Sequence, residues 1–152
     1  MRAGPTQAAA DRCRIGREPL DAGRLEAEVR GPERGAVATF SGVVRDHHEG
    51  RRVSHLEYEA YVPMALKVLA TIVSEAEARF GAPHIRVAHR LGRLGIGETS
   101  VVVTAAASHR REALAACAYV IEALKDRAPI WKKEFGEDGT FWIEGPGSCR
   151  AE

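Results

Sequence analysis

The chain has 152 residues, 45% of them hydrophobic and 28% charged, and its formal net charge is +1. This balance is typical of a soluble globular domain, and it excludes both a disordered chain and the strongly basic surface of a nucleic-acid-binding protein. No apolar run approaches the roughly 20 residues of a membrane span, and no secretory signal is visible, so we expect a cytoplasmic protein without membrane or nucleic-acid partners.

The residue pattern predicts one domain with a tail at each end. Residues 1–11 are small and polar and predict a disordered tail, whereas 12–145 predict a single folded domain. A short loop-like tail is expected at 146–152. The cysteines do not have the spacing of a metal site, and the adjacent His47 and His48 point in opposite directions in an extended segment. Neither a metal nor another cofactor is therefore expected.

The N-terminal part of the domain predicts a strand at 13–17 and a short helix that Asp21 caps and that ends at Gly31. Two β-rich runs follow, at 36–44 and 53–60. The composition of the first run and the alternation of the second predict neighbouring strands joined by a mobile basic loop.

A long helix is the clearest element of the sequence, because apolar side chains recur at helical spacing between Pro63 and Gly81. Two further strands are predicted at 85–91 and 100–106, with a Gly-rich bulged or turning connection between them. Ser108 then resembles the N-cap of a second helix.

Five side chains of this second helix are predicted to point inward: Leu114, Cys117, Ala118, Ile121 and Leu124. Residues 130–135 and 141–144 flank a turn signal and predict a closing hairpin. This order of strands and helices favours an α+β fold with a largely antiparallel sheet.

Three groups of positively charged residues are candidates for binding an anion. Ser108, His109 and Arg110 stand at a predicted helix start, where free N–H groups and the helix dipole favour phosphate, although an ordinary cap has the same sequence. Arg45 follows a strand and is either an anion clamp or a surface ion-pair partner.

Lys125 and Lys132 form the third group, on either side of a turn at Pro129. Such a corner can bring both ammonium groups to one pocket beside Trp131, where each cation lowers the pKa of the other. One of them is then a candidate acid, base or nucleophile. Two solvated surface lysines are the alternative.

Taken together, these motifs resemble the large, catalytic subunit of molybdopterin synthase, the MoaE-like family. The recurring features are a strand ending in GxVR, the LExE strand, GRLxxGE, an SHR helix start and PIWKKE. The matching stretches are Gly35–Tyr61, His89–Val103, Ser108–Glu134 and Phe141–Glu144.

The resemblance implies an α/β-hammerhead-type fold with an additional antiparallel β subdomain, and makes 12–145 a catalytic domain. It also implies a sulfurtransferase reaction. Sulfur passes from the C-terminal thiocarboxylate of a small ubiquitin-like subunit to cyclic pyranopterin monophosphate (precursor Z), giving the molybdopterin dithiolene.

By the same resemblance, Lys125 and Lys132 are the catalytic residues. Arg45, His109 and Arg110 bind the substrate phosphate, and Phe40 forms part of the channel for the incoming tail.

The family assembles as a homodimer of large subunits within a heterotetramer, in which an arginine of the C-terminal segment reaches the neighbouring large subunit. Its place here falls at about Pro146, and Arg51, Arg52 and Arg150 are candidate substitutes. Two other functions fit the same residues. One is a non-catalytic module that docks a ubiquitin-like tail, and the other is a phosphate-ester enzyme that uses His109 without a partner.

Overall fold

The computed structural model describes residues 12–81 and 83–147, and within them it contains nine strands and three helices. The predicted tails at 1–11 and, from residue 148, at the C-terminus lie outside the described residues. The helices are α1 (Ala22–Val29), α2 (Val62–Arg79) and α3 (Arg110–Arg127). The strands are β1 (Cys13–Gly16), β2 (Ala36–Val43), β3 (His47–His48), β4 (Arg51–Ala60), β5 (His84–Arg90), β6 (Gly92–Gly95), β7 (Thr99–Ala107), β8 (Ile130–Gly136) and β9 (Phe141–Glu144).

The first sheet has the strand order β1-β5-β7-β2, with β7 in its interior. Residues 100–107 of β7 are all buried, because helices cover both faces of this strand. Val101 and Val103 face the main core with α2 and α3, whereas Val102 packs with Leu25 of α1 on the opposite face. A strand covered on both sides needs apolar residues at every position, which explains the uninterrupted run at 101–103.

Helices α1 and α2 form where their end signals predict. The Asp21 carboxylate accepts a hydrogen bond from the Arg24 amide at 3.2 Å, which caps α1 as expected. Helix α2 has proline in its first turn and ends at Arg79. Its buried Leu69 and Ile72 pack in the same core as Val120 of α3.

The second sheet has the order β3-β4-β8-β9, and β6 pairs with β4 outside this path. It encloses a smaller core that includes Val53, Leu56 and Leu94. The closing hairpin of β8 and β9 is confirmed. The Gly-rich connection at 92–95 is a strand, because its backbone completes the hydrogen bonding of β4.

Three sequence predictions about elements are wrong. Strands β2 and β4 are not neighbours, since β2 pairs along its whole length with β7, and the segment between them forms the short hairpin of β3 and β4. Helix α3 is capped by His109 rather than Ser108, without a side-chain hydrogen bond. On that helix Leu114 is 60% exposed and Ala118 is also exposed, so neither points into the core.

The predicted α+β fold is confirmed, with one mixed sheet, covered by helices, and one antiparallel sheet. The two cores meet at Ile15 and Ile130, which pack against both. Among the described residues, no helix is long and apolar enough to cross a membrane. The junction between the sheets is where the candidate site lies.

Candidate active site

The site forms where one end of the first sheet faces the second sheet. Helix α3 starts directly after β7 and packs back along β7 and β2, so its C-terminal turn returns to the end of the sheet where β7 begins. Lys125 lies in that last turn. Strand β8 follows Pro129 and brings Lys132 to the same place, which is the corner predicted from the sequence.

The strand register places Lys132 in a row of polar side chains across the second sheet. Its backbone partners are Tyr58 on β4 and Glu144 on β9. Glu134, two residues further along β8, lies on the same face because side chains in a strand alternate. Trp131 belongs to the opposite face, where it lines a separate cavity with Lys132 and Lys133, and it does not line the cavity that Lys125 shares with Lys132.

Two carboxylates hold the Lys132 ammonium group. Its Nζ lies 3.1 Å from Glu134 Oε2 and 3.1 Å from Glu144 Oε2. The side chains are 19%, 4% and 22% exposed for Lys132, Glu134 and Glu144, so these contacts are made largely away from water. His48 Nδ1 donates to the same Glu134 oxygen at 2.5 Å.

These contacts set the charge of Lys132. Burial alone disfavours its charged form, but Glu144 and Glu134 together outweigh burial and raise the pKa of Lys132. Burial likewise opposes the charged form of Glu134, and the hydrogen bonds from His48 and Lys132 outweigh it and lower the pKa of Glu134. The expectation that a neighbouring cation lowers the pKa of Lys132 is therefore wrong, and this residue is a fixed positive charge.

Lys125 and Lys132 line two adjoining cavities. The first, of about 40 Å³, is also lined by Tyr58, His89 and Glu144. The second, of about 140 Å³, is open to solvent and reaches Arg45. Arg45 is exposed and makes no ion pair with any residue that the structure describes. The structure thus brings together three of the predicted site residues, all of them cations.

His109 and Arg110 lie far from this cluster within one chain. They stand at the beginning of α3, and Arg110 is separated from Lys125 by about 22 Å of helix at 1.5 Å per residue. The strand register leads to the same conclusion. Arg45 follows the end of β2 that pairs with the start of β7, whereas His109 and Arg110 follow the opposite end of β7. Both side chains are exposed, and neither lines the two lysine cavities.

The remaining candidates occupy different places. Phe40 on β2 is 39% exposed and lines neither lysine cavity. Arg51 stacks on the Trp142 ring at 3.8 Å, and its Nη2 lies 3.8 Å from Glu134 Oε1, so it supports its own chain's site. Arg52 is exposed at a surface ion pair with Glu137, and Arg150 lies outside the described residues.

Sequence reasoning missed the carboxylates around Lys132. His48, Glu134 and Glu144 each place a possible metal-ligand atom within 4.8 Å of the others, although they are distant in sequence. The Lys132 ammonium group already lies between the two carboxylates and balances their charge. The two-residue spacing of Lys132 and Glu134 in a predicted strand indicates that both side chains lie on one face. The pairing of Lys132 with Glu144 depends on the register of the hairpin.

Comparison with known proteins gives a consistent result. Residues 15–127 match the family model described as "MoaE protein". The molybdopterin synthase catalytic subunit 1 of Mycobacterium tuberculosis is 44% identical over 131 residues, which cover 86% of this chain and 89% of that protein.

Solved structures agree with this relationship. The crystal structure of molybdopterin synthase from Staphylococcus aureus superimposes with a TM-score of 0.82 at 37% identity, over 86% of this chain and 95% of that one. A complex of subunits 1 and 2 of molybdopterin-converting factor from Helicobacter pylori shares the fold, with a TM-score of 0.69 at 22% identity over 92% of both chains. The sequence and structure matches each cover most of the chain, and they include a molybdopterin synthase catalytic subunit. This chain therefore belongs to the MoaE protein family.

Proposed function

We propose that this chain catalyses the sulfur transfer of molybdopterin synthase: sulfur passes from the C-terminal thiocarboxylate of a small ubiquitin-like subunit to cyclic pyranopterin monophosphate, and the dithiolene of molybdopterin forms. The observation that carries the proposal is the convergence of Lys125, Lys132 and Arg45 on one cavity, within a fold shared with this family. The two-subunit Helicobacter pylori complex supports a small protein partner.

The charges of the cavity suit this chemistry. Lys125 is proposed to act on the thiocarboxylate, by proton transfer or by stabilising the oxyanion that forms when the acyl carbon is attacked. Lys132 stays charged between its two carboxylates and is proposed to hold negative charge on the substrate or intermediate. Arg45 has the planar donor geometry that binds phosphate well. No catalytic cysteine is needed, because the sulfur arrives on the partner.

A second copy of the chain is proposed to complete the site. The open cavity of about 140 Å³ is smaller than the roughly 300–1,000 Å³ of typical ligand pockets. His109 and Arg110 are too distant from Lys125 in the same chain to share one phosphate with it. We therefore propose that they reach the cavity of the neighbouring large subunit, in a homodimer within a heterotetramer.

Reconstitution tests the reaction and its partner. The purified chain is mixed with pyranopterin and a thiocarboxylated small subunit, and dithiolene product is measured with and without the small subunit. We expect product only in the complete mixture. Product formed without the small subunit contradicts the partner scheme, and a wild-type chain that forms none in the complete mixture contradicts the sulfur transfer itself.

Subunit mixing tests the shared site. One inactive variant carries Lys125→Ala and the other carries His109→Ala with Arg110→Ala. If equal amounts of the two chains exchange at random, about half of the dimers are mixed, and in each mixed dimer one of the two sites regains a full set of residues. The mixture should therefore recover about a quarter of wild-type activity. Two variants that stay inactive after exchange, verified by differently tagged chains, contradict the two-chain site.

The same assays separate the alternatives. A module that only docks a ubiquitin-like tail binds the small subunit but forms no product. A phosphate-ester enzyme based on His109 needs no partner, and the exposed position of His109 outside both cavities gives that function no support. We also propose a cytoplasmic location, which cell fractionation can test.

A further inference from the structure

A buried histidine forms part of the lysine cavity and has no assigned role. His89 is 1% exposed and lies near the end of β5, where its backbone is paired with Ile15 on one side and Val101 on the other. Its ring lines the 40 Å³ cavity together with Lys125 and Lys132. Burying an imidazole costs free energy unless its polar atoms are hydrogen-bonded, and this one shares a cavity with Lys125 and Lys132.

The hydrogen bonding of His89 fixes which ring nitrogen carries the proton. Nδ1 lies 2.9 Å from the Arg90 carbonyl oxygen. A carbonyl oxygen only accepts hydrogen bonds, so Nδ1 is the N–H donor. In the neutral ring Nε2 is then an acceptor with a lone pair.

The surroundings keep the ring neutral and in place. Burial, together with the positive charge of Lys125, lowers the pKa of His89 to about 4, although the hydrogen bond to Arg90 opposes this shift. The Tyr58 ring packs edge-on against it with centroids 4.9 Å apart. At neutral pH the His89 ring is therefore neutral, with a proton on Nδ1 and a lone pair on Nε2, and its backbone is paired with two strands.

We propose that His89 is a positioning residue for sulfur transfer: its Nε2 lone pair accepts a hydrogen bond from the Lys125 ammonium group and orients it toward the reacting carbon. This inference rests on the role proposed above for Lys125. It assigns His89 no contact with substrate and no proton transfer of its own. The physical advantage is preorganisation, because a lysine side chain has several rotatable bonds and an acceptor in the cavity wall selects among its rotamers.

Two amide substitutions separate this role from a purely structural one. The Asn side-chain nitrogen is as many bonds from Cβ as Nδ1 of histidine, so His89→Asn preserves the donor to Arg90 and removes the Nε2 acceptor. The Gln side-chain oxygen is as many bonds from Cβ as Nε2, so His89→Gln preserves the acceptor and removes the donor at the position of Nδ1. The two variants are similar in size to each other, and both are uncharged.

The reconstituted reaction and thermal unfolding are measured for both variants in the presence of the small subunit. We expect His89→Gln to keep kcat within about threefold of wild type and to unfold at a lower temperature, because it loses the buried hydrogen bond. We expect His89→Asn to unfold close to wild type but to lose at least about tenfold in kcat, as for a displaced catalytic group. KM for the pyranopterin should stay within about twofold, since substrate contacts are unchanged.

The inference is overturned if His89→Asn is as active as wild type and activity falls only in the variant that unfolds at a lower temperature. His89 then has a structural role. Two-dimensional ¹H–¹⁵N NMR of wild-type histidine rings gives a second test that does not depend on variants. A ring protonated at Nε2, or at both nitrogens, at pH 7 also overturns it. Wild-type turnover in the same assay shows that such a failure concerns His89 and not the proposed reaction.

Discussion

Replacing Lys132 by methionine should destabilise the fold, because it leaves the buried Glu134 and the partly buried Glu144 without their shared cation. Glu134 and Glu144 both contact the Lys132 ammonium group at 3.1 Å and are 4% and 22% exposed. Removing one partner of a buried ion pair costs about 3–5 kcal/mol. His48 and Arg51 remain near Glu134, so we expect the lower end, about 3 kcal/mol. At about 2–4 °C per kcal/mol for a chain of this size, the unfolding midpoint falls by about 6–12 °C.

The loss of stability in Lys132→Met should depend on pH in a definite direction. In the wild type the pKa of Glu134 is lowered, so its stabilisation is present above the ordinary carboxyl pKa and disappears as the pH falls. In the variant, burial remains while the lysine contact is gone, so the carboxylates bind protons more readily than in the wild type. The difference in unfolding free energy should therefore be largest near pH 8 and should narrow as the pH falls through the ordinary carboxyl range to pH 4.

Lys133→Met is the matched control. Lys133 is the adjacent residue on the opposite face of β8, and its Nζ lies 4.1 Å from the centre of the Phe141 ring. That contact is worth about 0.5–1 kcal/mol. Urea unfolding followed by circular dichroism at pH 4 and pH 8 compares the wild type, Lys132→Met and Lys133→Met. A Lys132→Met chain that is as stable as the control, or a difference in unfolding free energy that widens toward pH 4, refutes the reasoning.

Two other consequences concern the thiols and the first helix. Burial raises the pKa of Cys13 to about 12, so Cys13 should resist iodoacetamide at pH 7.5 in the native chain and react in urea, as peptide mass spectrometry can determine. Rapid native labelling of Cys13 contradicts its burial. Asp21→Ala removes the side-chain cap of α1 and should lower the unfolding free energy by about 1 kcal/mol, whereas Asp21→Asn should retain most of it. Equal losses for both replacements in urea unfolding show that the cap is not responsible.

The elements of the fold were largely predictable because their signals are local. Helix α2 follows from apolar spacing between Pro63 and Gly81, and β7 from a continuous apolar run. Strand pairing was not predictable, since the β-rich composition of β2 indicates a strand but not that its partner is β7, some 60 residues later. The cap of α3 was misplaced by one residue because Ser108 has the better capping side chain, while the chain geometry places His109 there.

The candidate site was predictable only in part for the same reason. The turn at Pro129 links Lys125 and Lys132 locally, and the structure places both on one cavity. Tyr58, His89 and Glu144 join them through strand register, which no short sequence pattern encodes. The separation of His109 from Arg45 likewise appears only once β2 and β7 are known to be antiparallel.

The rate of sulfur transfer by Lys125→Ala is the most direct test of the central claim, that the lysine cavity is where the thiocarboxylate reacts. Lys67→Ala serves as the control, since Lys67 is an exposed lysine on α2, outside both cavities. In single-turnover reconstitution with the thiocarboxylated small subunit, Lys125→Ala should lose at least about 100-fold in rate while Lys67→Ala stays at the wild-type rate. A Lys125→Ala chain that is folded, binds the small subunit and forms product at the wild-type rate contradicts the account.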